Sequence, residues 1–231
     1  MNHESLHHLH DHHGDFDAFC QLMTESAKGR FGPLWWGVWD QYALPALPEA
    51  GTVLDLGCGP GGLFAPLRQR HPRVAIVGVE VQPSMLRAAR NLGAQLGCRI
   101  VEADLVAPLP LDDASVDVAV AAMVLHEMPN PLLLLREVAR LLKPGGVWLI
   151  YDWVRQPLRR YVGDEPLDAG RLQRFREHCL YAPDDLAFLC EHVGLEVLEV
   201  IGRRGGDYAM LAVAKNPPPD SVANADFGRN P

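Results

Sequence analysis

A glycine-rich loop between an apolar strand and a helix is the part of this sequence best suited to hold a ligand. Its sequence over residues 53–62 is VLDLGCGPGG. Glycine lets a ligand approach the backbone closely, and the start of the following helix offers free N–H groups. Gly57, Gly59 and Gly62 fit the G-x-G-x-x-G pattern of dinucleotide sites. Gly57, Gly59 and Gly61 fit the G-x-G-x-G pattern of S-adenosylmethionine sites, so the loop alone leaves both ligands open.

Asp55, two positions before the first glycine, favours the second ligand. A carboxylate here would repel a pyrophosphate, and no Lys or Arg between residues 52 and 67 compensates for it. Pro60 also lacks the backbone N–H that a phosphate would use. The same carboxylate would attract the ammonium of an amino acid, directly or through water, and S-adenosylmethionine carries such a group. The alternative is that Asp55 only caps a turn.

Two further acids follow the next apolar runs. Glu80 ends VAIVGVE, where a carboxylate can accept both hydroxyls of a ribose, and Asp104 ends RIVEAD, where it could accept from an adenine amino group. Each has a plainer alternative, as a solvated acid or as a turn-forming aspartate. Open α/β sheets bind ligands at the carboxyl ends of their strands. Acids after three successive predicted strands therefore predict one adenosine-binding site.

The elements that must position these acids begin at residue 51, where apolar runs start to alternate with helix-like segments. This pattern is typical of an α/β fold with a parallel sheet covered by helices. It contains about seven strands, the last two of which suit a hairpin, and Asn130 and Pro131 predict the start of one helix, which ends at KPGG. We predict an N-terminal helical cap in residues 1–50, the ligand-binding domain in residues 51–215 and a flexible tail in residues 216–231.

Composition excludes several classes of function. The formal net charge of −8 disfavours an extended nucleic-acid surface, because phosphate contacts need clustered Lys and Arg. No run of 18 apolar residues predicts a membrane span, and the acidic N-terminus is no secretory signal. Five cysteines without a C-x-x-C pair favour a reducing compartment. We therefore expect a cytoplasmic protein with neither nucleic acid nor membrane as a partner, and we leave a homodimer open.

Histidines are concentrated at the N-terminus. Their spacing could place two or three imidazoles on one helical face and so bind a transition metal. We favour a solvated terminus that binds no metal in the cell, and we predict no metal site. The histidines concerned are His3, His7, His8, His10, His12 and His13.

Taken together, the motifs resemble those of the class I S-adenosylmethionine-dependent methyltransferases over about residues 51–215. VLDLGCGPGG resembles the family's first motif, and VGVEVQPSML its ribose-binding segment. VEADLVAPLPLDDASVDVAVAAMVLHEMPNP resembles the adenine-contacting segment with the fourth strand, and LLKPGG the turn before the fifth. Within this family, the motifs are most similar to those of the small-molecule branch, of the methyltransferase type 11 kind. One departure is that His126-Glu127 stands where a His-His pair is common.

The resemblance implies a Rossmann-like sheet of seven strands, mostly parallel, whose last strand is antiparallel. It also implies that S-adenosyl-L-methionine is the cofactor and that the methyl group passes to a small molecule through an O, N, S or C nucleophile. The residues that it places at the cofactor are Asp55, Gly57, Cys58, Gly59, Gly61, Glu80, Val81, Asp104, Leu105 and Ala122.

The acceptor side of the site carries one candidate base. Methyl transfer needs a base only where the acceptor must lose a proton. His126 leaves the fourth strand on the ligand side of the sheet and is our first candidate. A histidine that orients a loop or contacts the substrate without proton transfer fits the sequence equally well. Glu127 and Asp152 are weaker candidates.

Three tryptophans within five residues, Trp35, Trp36 and Trp39, are candidate substrate contacts. As a lid they would exclude water and offer cation–π contact to a sulfonium. The alternative is that they anchor the N-terminal cap on the sheet, as aromatic clusters usually do.

The predicted activity is therefore methyl transfer to a small molecule. A non-catalytic binder of S-adenosylmethionine or S-adenosylhomocysteine with a regulatory role would need the same loop, and a protein acceptor also stays open. A nicotinamide oxidoreductase depends on the glycine pattern alone. No tyrosine is followed four residues later by a lysine, as a short-chain dehydrogenase would require.

Overall fold

A computed structural model describes residues 16–128, 130–178, 181–203 and 208–216. The N-terminal histidine cluster, residues 204–207 of the predicted hairpin and the tail from residue 217 lie outside the described residues. The predictions made for those segments stay predictions.

The sheet has seven strands in the order β3-β2-β1-β4-β5-β7-β6. The strands β1 to β5 pair in parallel, and β7 runs antiparallel to β5 and β6. This confirms the predicted seven-stranded, mostly parallel sheet with an antiparallel last strand. The bounds are β1 (Thr52–Leu56), β2 (Ala75–Glu80), β3 (Arg99–Glu102), β4 (Val116–Ala122), β5 (Leu142–Trp153), β6 (Leu195–Arg203) and β7 (Tyr208–Lys215).

Helices precede the sheet and connect its strands. A π-helical turn (Trp39–Ala43) and a 3-10 turn (Leu44–Ala46) follow α2, and a second 3-10 turn (Leu125–Glu127) follows β4. The α-helices are α1 (Phe16–Arg30), α2 (Pro33–Val38), α3 (Phe64–Arg70), α4 (Pro83–Leu96), α5 (Leu132–Leu141), α6 (Leu158–Val162), α7 (Ala169–His178) and α8 (Pro183–His192).

Central strand β4 shows why the sheet is covered on both sides. All of its seven residues are buried, as expected for a strand flanked by helical layers. Ala119 and Ala121 belong to one apolar cluster, whereas Val118 and Val120 belong to the cluster on the opposite face. Successive side chains of a strand point to opposite faces, so one apolar run serves two cores.

The segment before β1 packs on one of these two faces. Trp35 and Trp39 have no exposed surface and belong to the same apolar cluster as Val118 and Val120. The Trp39 indole N–H also donates to Nε2 of His71, just after α3, at 3.0 Å. The segment is therefore held to the sheet by burial and by a directed hydrogen bond.

Two boundaries differ from the prediction. Helix α5 begins at Leu132, because Pro131 is its N-cap residue and the Asn130 side chain accepts the Leu132 N–H. Strand β5 begins at Leu142 and includes KPGG, since Leu142 pairs with Val116 ahead of an irregularity in the ladder. No helix in the described part of the chain is both long and apolar enough to cross a membrane.

Candidate active site

A cavity of about 780 Å³ opens at the carboxyl ends of the parallel strands. Helix α1 covers one side of it, and the end of β5 and the start of β7 form another. Small-molecule sites typically measure about 300–1,000 Å³ and lie at this edge of open α/β sheets. The predicted residues that line the cavity are Asp55, Gly57, Cys58, Gly59, Glu80, Val81, Asp104, Leu105, Ala122 and His126.

Three glycines give the loop after β1 its shape. The φ angles of Gly57, Gly59 and Gly61 are +63°, +54° and +90°, a region that glycine occupies without steric cost. A Cβ on Gly57 would lie 2.8 Å from Val124 Cγ2, and one on Gly61 would lie 2.6 Å from the ring of Phe64. Gly61 is not among the residues that line the cavity. It shapes the loop from the core side, and its contact with the cofactor stays a prediction.

Glu80 ties the glycine loop to the end of β2. Its Oε2 accepts the Gly59 N–H at 2.9 Å, and its Oε1 accepts the N–H groups of Val81 and Gln82 at 2.8 and 2.9 Å. Burial raises the pKa of this carboxyl, whereas the three backbone donors lower it. The carboxylate is thus fixed in the cavity wall, and Oε2 keeps one lone pair for a ligand hydroxyl.

Asp55 lies deep in the wall, with 3% of its surface exposed. Burial raises the pKa of its carboxyl to about 7, an effect that Arg30 opposes and Glu80 reinforces. A cation beside a buried carboxylate favours the charged form. A ligand ammonium at this position would therefore restore the charge that burial disfavours.

Asp104 follows β3 by two residues and lines the cavity. Its Oδ1 accepts the Val106 N–H at 3.2 Å, while Oδ2 has no hydrogen-bond partner among the described residues. Leaving such an atom unsatisfied costs free energy, which a ligand amino group would recover. Together with Glu80 and Asp55, this oxygen fits an adenosine ligand that also carries an amino-acid group.

His126 lies in the turn after β4, across the cavity from the glycine loop. Its Nδ1 is 2.6 Å from Asp152 Oδ1, and its Nε2 is 3.3 Å from Glu127 Oε1. Burial lowers the pKa of the ring, but Asp152 and Glu127 outweigh burial and raise the pKa to about 10. A ring that is already protonated at neutral pH cannot accept a proton, so this geometry argues against the predicted base.

Arg30, the last residue of α1, is a cavity residue that sequence reasoning missed. Its Nη2 donates to Ser26 Oγ at 3.2 Å. Burial lowers the pKa of the guanidinium, whereas Tyr151 and Asp55 oppose that change, which places this cation in the field of the β1 carboxylate. No local signal marks it in the sequence, because its role depends on how α1 lies over the sheet.

The aromatic residues at the cavity are not the predicted ones. Trp35, Trp36 and Trp39 do not line it, so the structure supports their alternative role as anchors of the N-terminal segment. Trp153 and Tyr208, which we did not predict, do line it, and their rings stack 6.3 Å apart at 15°. In the described part of the chain, no three His, Cys, Asp or Glu residues are placed to hold a metal ion.

A comparison with known families matches residues 54–150 to the "Methyltransferase domain" family. The chain carries a class I S-adenosylmethionine-dependent methyltransferase domain. The match begins within β1 and runs almost to the end of β5, and so includes the glycine loop, the three acids and His126. The predicted family and its cofactor, S-adenosyl-L-methionine, are thereby confirmed.

Curated relatives of this methyltransferase domain act on small molecules. The chain is 42% identical over 132 residues to a trans-aconitate 2-methyltransferase of Azoarcus sp. (strain BH72), covering 55% of this chain and 49% of that protein. It is 31% identical over 155 residues to the 24-methylenesterol C-methyltransferase 2 of Oryza sativa subsp. japonica, covering 64% and 42%. The chain thus spans about half the length of these relatives or less.

Among solved structures, the methyltransferase domain resembles the cyclase SpnF with a TM-score of 0.64. The likeness covers 79% of this chain and 80% of that one at 18% sequence identity. At this level of identity the likeness shows the fold alone. Because that protein is a cyclase, the activity of this chain must be argued from its site.

Proposed function

We propose that this protein transfers the methyl group of S-adenosyl-L-methionine to a small-molecule acceptor. The observation that carries the proposal is the row of acids along the cavity, of which Asp104 keeps a buried oxygen unused by the described residues. Bound at this row, S-adenosyl-L-methionine supplies a methyl group on positively charged sulfur, which an electron-pair donor attacks in line.

Each acid has one binding task in this proposal. Glu80 accepts a ribose hydroxyl, and Asp104 accepts from the adenine amino group. Asp55 faces the ammonium of the amino-acid end, and Arg30, whose charge acts on Asp55, pairs with the neighbouring carboxylate. Opposite charges of an amino acid lie close together, so a carboxylate and a guanidinium side by side suit both of them.

The acceptor lies on the opposite side of the cavity, against Trp153, Tyr208 and the turn that carries His126. The Trp153 ring meets the His126 ring edge-on at 6.2 Å and the Tyr161 ring at 5.9 Å. Apolar rings on this side exclude water and hold an acceptor at attack distance. Positioning of this kind can supply about 7–11 kcal/mol of the barrier to methyl transfer.

Calorimetric titration with S-adenosylmethionine, S-adenosylhomocysteine and NADH tests the cofactor part of the proposal. We expect the two adenosyl ligands to bind and NADH not to bind, and we expect Asp55→Ala and Glu80→Ala to weaken both adenosyl ligands. Glu102→Gln is the matched control, because Glu102 also ends a strand but pairs with Arg90 at the surface. Binding of NADH without S-adenosylmethionine would overturn the proposal.

Transfer itself is tested with S-adenosylmethionine labelled in its methyl group and a panel of small acids, amines, thiols and phenols. Label in a small product supports an enzyme of this class. Tight cofactor binding with label only in protein would instead identify a protein acceptor. Cofactor binding with no transfer to the panel or to protein would favour a regulatory binder. A cytoplasmic location and the lack of a nucleic-acid partner remain parts of the proposal, supported by the charge and composition of the sequence, and a homodimer stays open.

A further inference from the structure

The two ring nitrogens of His126 both face carboxylates. Nδ1 lies 2.6 Å from Asp152 Oδ1 and Nε2 lies 3.3 Å from Glu127 Oε1, and the residue is 7% exposed. Ionised carboxylates only accept hydrogen bonds, whereas a neutral imidazole carries a hydrogen on one nitrogen alone. A neutral ring would therefore direct a lone pair at one of the two carboxylates. A doubly protonated ring satisfies both.

The proton that separates a neutral ring from a doubly protonated one is not carried by Asp152. Its Oδ2 accepts the N–H groups of Val124 and Leu125 at 3.0 and 2.6 Å, and its Oδ1 accepts the Trp153 N–H at 2.8 Å as well as His126 Nδ1. Four groups directed at two oxygens occupy their lone pairs, so neither oxygen has a free position from which to donate a hydrogen to the ring. The proton of the pair consequently belongs to the imidazole.

The surrounding charges agree with this assignment. Arg30 acts on Asp152 from α1, and the Trp153 ring of β5 meets the His126 ring edge-on. Helix α7, which contacts the turn, carries Arg171, whose guanidinium pairs with Glu165. Because Asp152 and Glu127 lie against the two ring nitrogens, they outweigh burial and raise the pKa of His126 to about 10.

The paired imidazole fixes one wall of the cavity. Met123, just before the turn, has a φ of +66°, which is unusual for a residue other than glycine. Val124 follows it and packs so closely on the glycine loop that a Cβ on Gly57 would lie 2.8 Å from it. Asp152 holds Val124 by its backbone and His126 by its ring, and so sets the distance between the two walls.

We propose that His126 is a positioning residue: it remains an imidazolium, clamped between Asp152 and Glu127, and takes no proton from the acceptor. This inference rests on the proposed function, since only a methyltransferase has an acceptor here. The matching acceptor presents an attacking atom that carries no proton to be removed, as a carboxylate or an unprotonated amine does. Its electron pair forms the bond to the methyl carbon, and the pair of the broken carbon–sulfur bond returns to sulfur. The step therefore balances without a base.

The protonation state is measured by long-range ¹H–¹⁵N correlation spectra of the full chain with ¹⁵N-labelled histidine, alone and with S-adenosylhomocysteine. In an imidazolium the two ring nitrogens have similar shifts, whereas in a neutral ring they differ widely. We expect one histidine to keep the imidazolium pattern from pH 6 to about pH 9 and to be absent from spectra of His126→Gln. A His126 ring that is neutral at pH 7.5 in either sample would overturn the proposal.

Two further variants keep the test valid if His126→Gln does not fold. Glu127→Gln is expected to lower the pH at which the His126 ring loses its proton, and Asp152→Asn is expected to lower that pH further. Loss of the imidazolium pattern at pH 8 in Asp152→Asn supports the clamp, and an unchanged resonance in both variants contradicts it. Calorimetry of the same samples with S-adenosylhomocysteine reports on the proposed function separately, because a protein that fails to bind it can still show the clamped ring.

Discussion

The two sides of the cavity are built in different ways. On the cofactor side, Asp55 lies one residue before the end of β1, Glu80 ends β2 and Asp104 follows β3, so each acid is carried by a different strand or strand end. On the acceptor side, Asp152 of β5 positions a turn that follows β4, 25 or more residues earlier in the sequence. The three acids of the cofactor side can thus be replaced one at a time. The acceptor side instead depends on the pairing of Asp152 with a turn that is distant in the sequence. Four variants break or sharpen that contrast.

Asp152→Ala should have the largest effect, because it leaves a buried imidazolium and three backbone N–H groups without their acceptor. Breaking a buried ion pair from one side typically costs about 3–5 kcal/mol of unfolding free energy. Urea denaturation followed by circular dichroism measures it. Asp113→Ala is the control, since Asp113 makes a surface pair with Arg140, and exposed pairs contribute about 0–1 kcal/mol. Equal losses in the two variants would remove the contrast between the walls.

Asp104→Ala should separate binding from stability. Hydrogen bonds to charged groups contribute about 1.5–3 kcal/mol, so we expect the Kd for S-adenosylhomocysteine to rise about 10- to 100-fold. The substitution removes a buried oxygen without a hydrogen-bond partner and one long hydrogen bond, from the Val106 N–H to Oδ1, so the urea midpoint should change little. Calorimetry and urea denaturation check the two halves of this prediction, with the exposed Asp112→Ala as control. Unchanged affinity would remove Asp104 from the cofactor site.

Arg30→Gln should weaken only ligands that carry a carboxylate. We expect about a tenfold loss, or about 1.4 kcal/mol, for S-adenosylhomocysteine and none for 5′-methylthioadenosine, which lacks the amino-acid group. The exposed Arg87→Gln on α4 controls for a general loss of positive charge. An equal loss for both ligands would show that Arg30 does not lie at the amino-acid end.

The smallest expected effect concerns the hydrogen bond from Trp39 to His71, which requires an unprotonated Nε2. Burial is the main cause of the lowered pKa of His71, with Arg70 adding to it. Its folded pKa therefore lies below the unfolded value of 6.5, and stability is lost as the pH falls below about that value. Between pH 8 and pH 5 the difference in unfolding free energy between the wild type and Trp39→Phe should shrink by about 1 kcal/mol. A difference that does not change with pH would contradict this role.

Sequence reasoning succeeded where one stretch of chain defines the feature. The glycine loop, the strand that precedes it and the acid after the next strand lie within 30 residues, so their types and spacing already specify a local geometry. The predicted helix after Glu80 matches α4 (Pro83–Leu96) because Pro83 in the first turn and Gly97, with a φ of +65°, mark its ends.

Features that depend on the meeting of distant segments could not be predicted. Nothing near Arg30 indicates that it lies beside Asp55, and Trp153 and Tyr208 meet only because β7 pairs with β5. The composition of the tryptophan cluster suits a lid over the substrate and an anchor of the N-terminal segment equally well, and only burial distinguishes the two. His126 was chosen as a base by its place after β4. Its protonation is set by Asp152, which arrives from another strand.

The close pairing of Asp152 with the turn after β4 has a consequence for redesign. Residues 124–126 and Asp152 form a single module. A substitution on one side of this pairing, made without a matching change on the other, disrupts the cavity wall before it alters selectivity for the acceptor. Trp153 and Tyr208 line the cavity with stacked rings, and their side chains take no part in the hydrogen bonds that join Asp152 to residues 124–126. An engineer seeking a new acceptor would therefore vary the rings and leave the clamp intact.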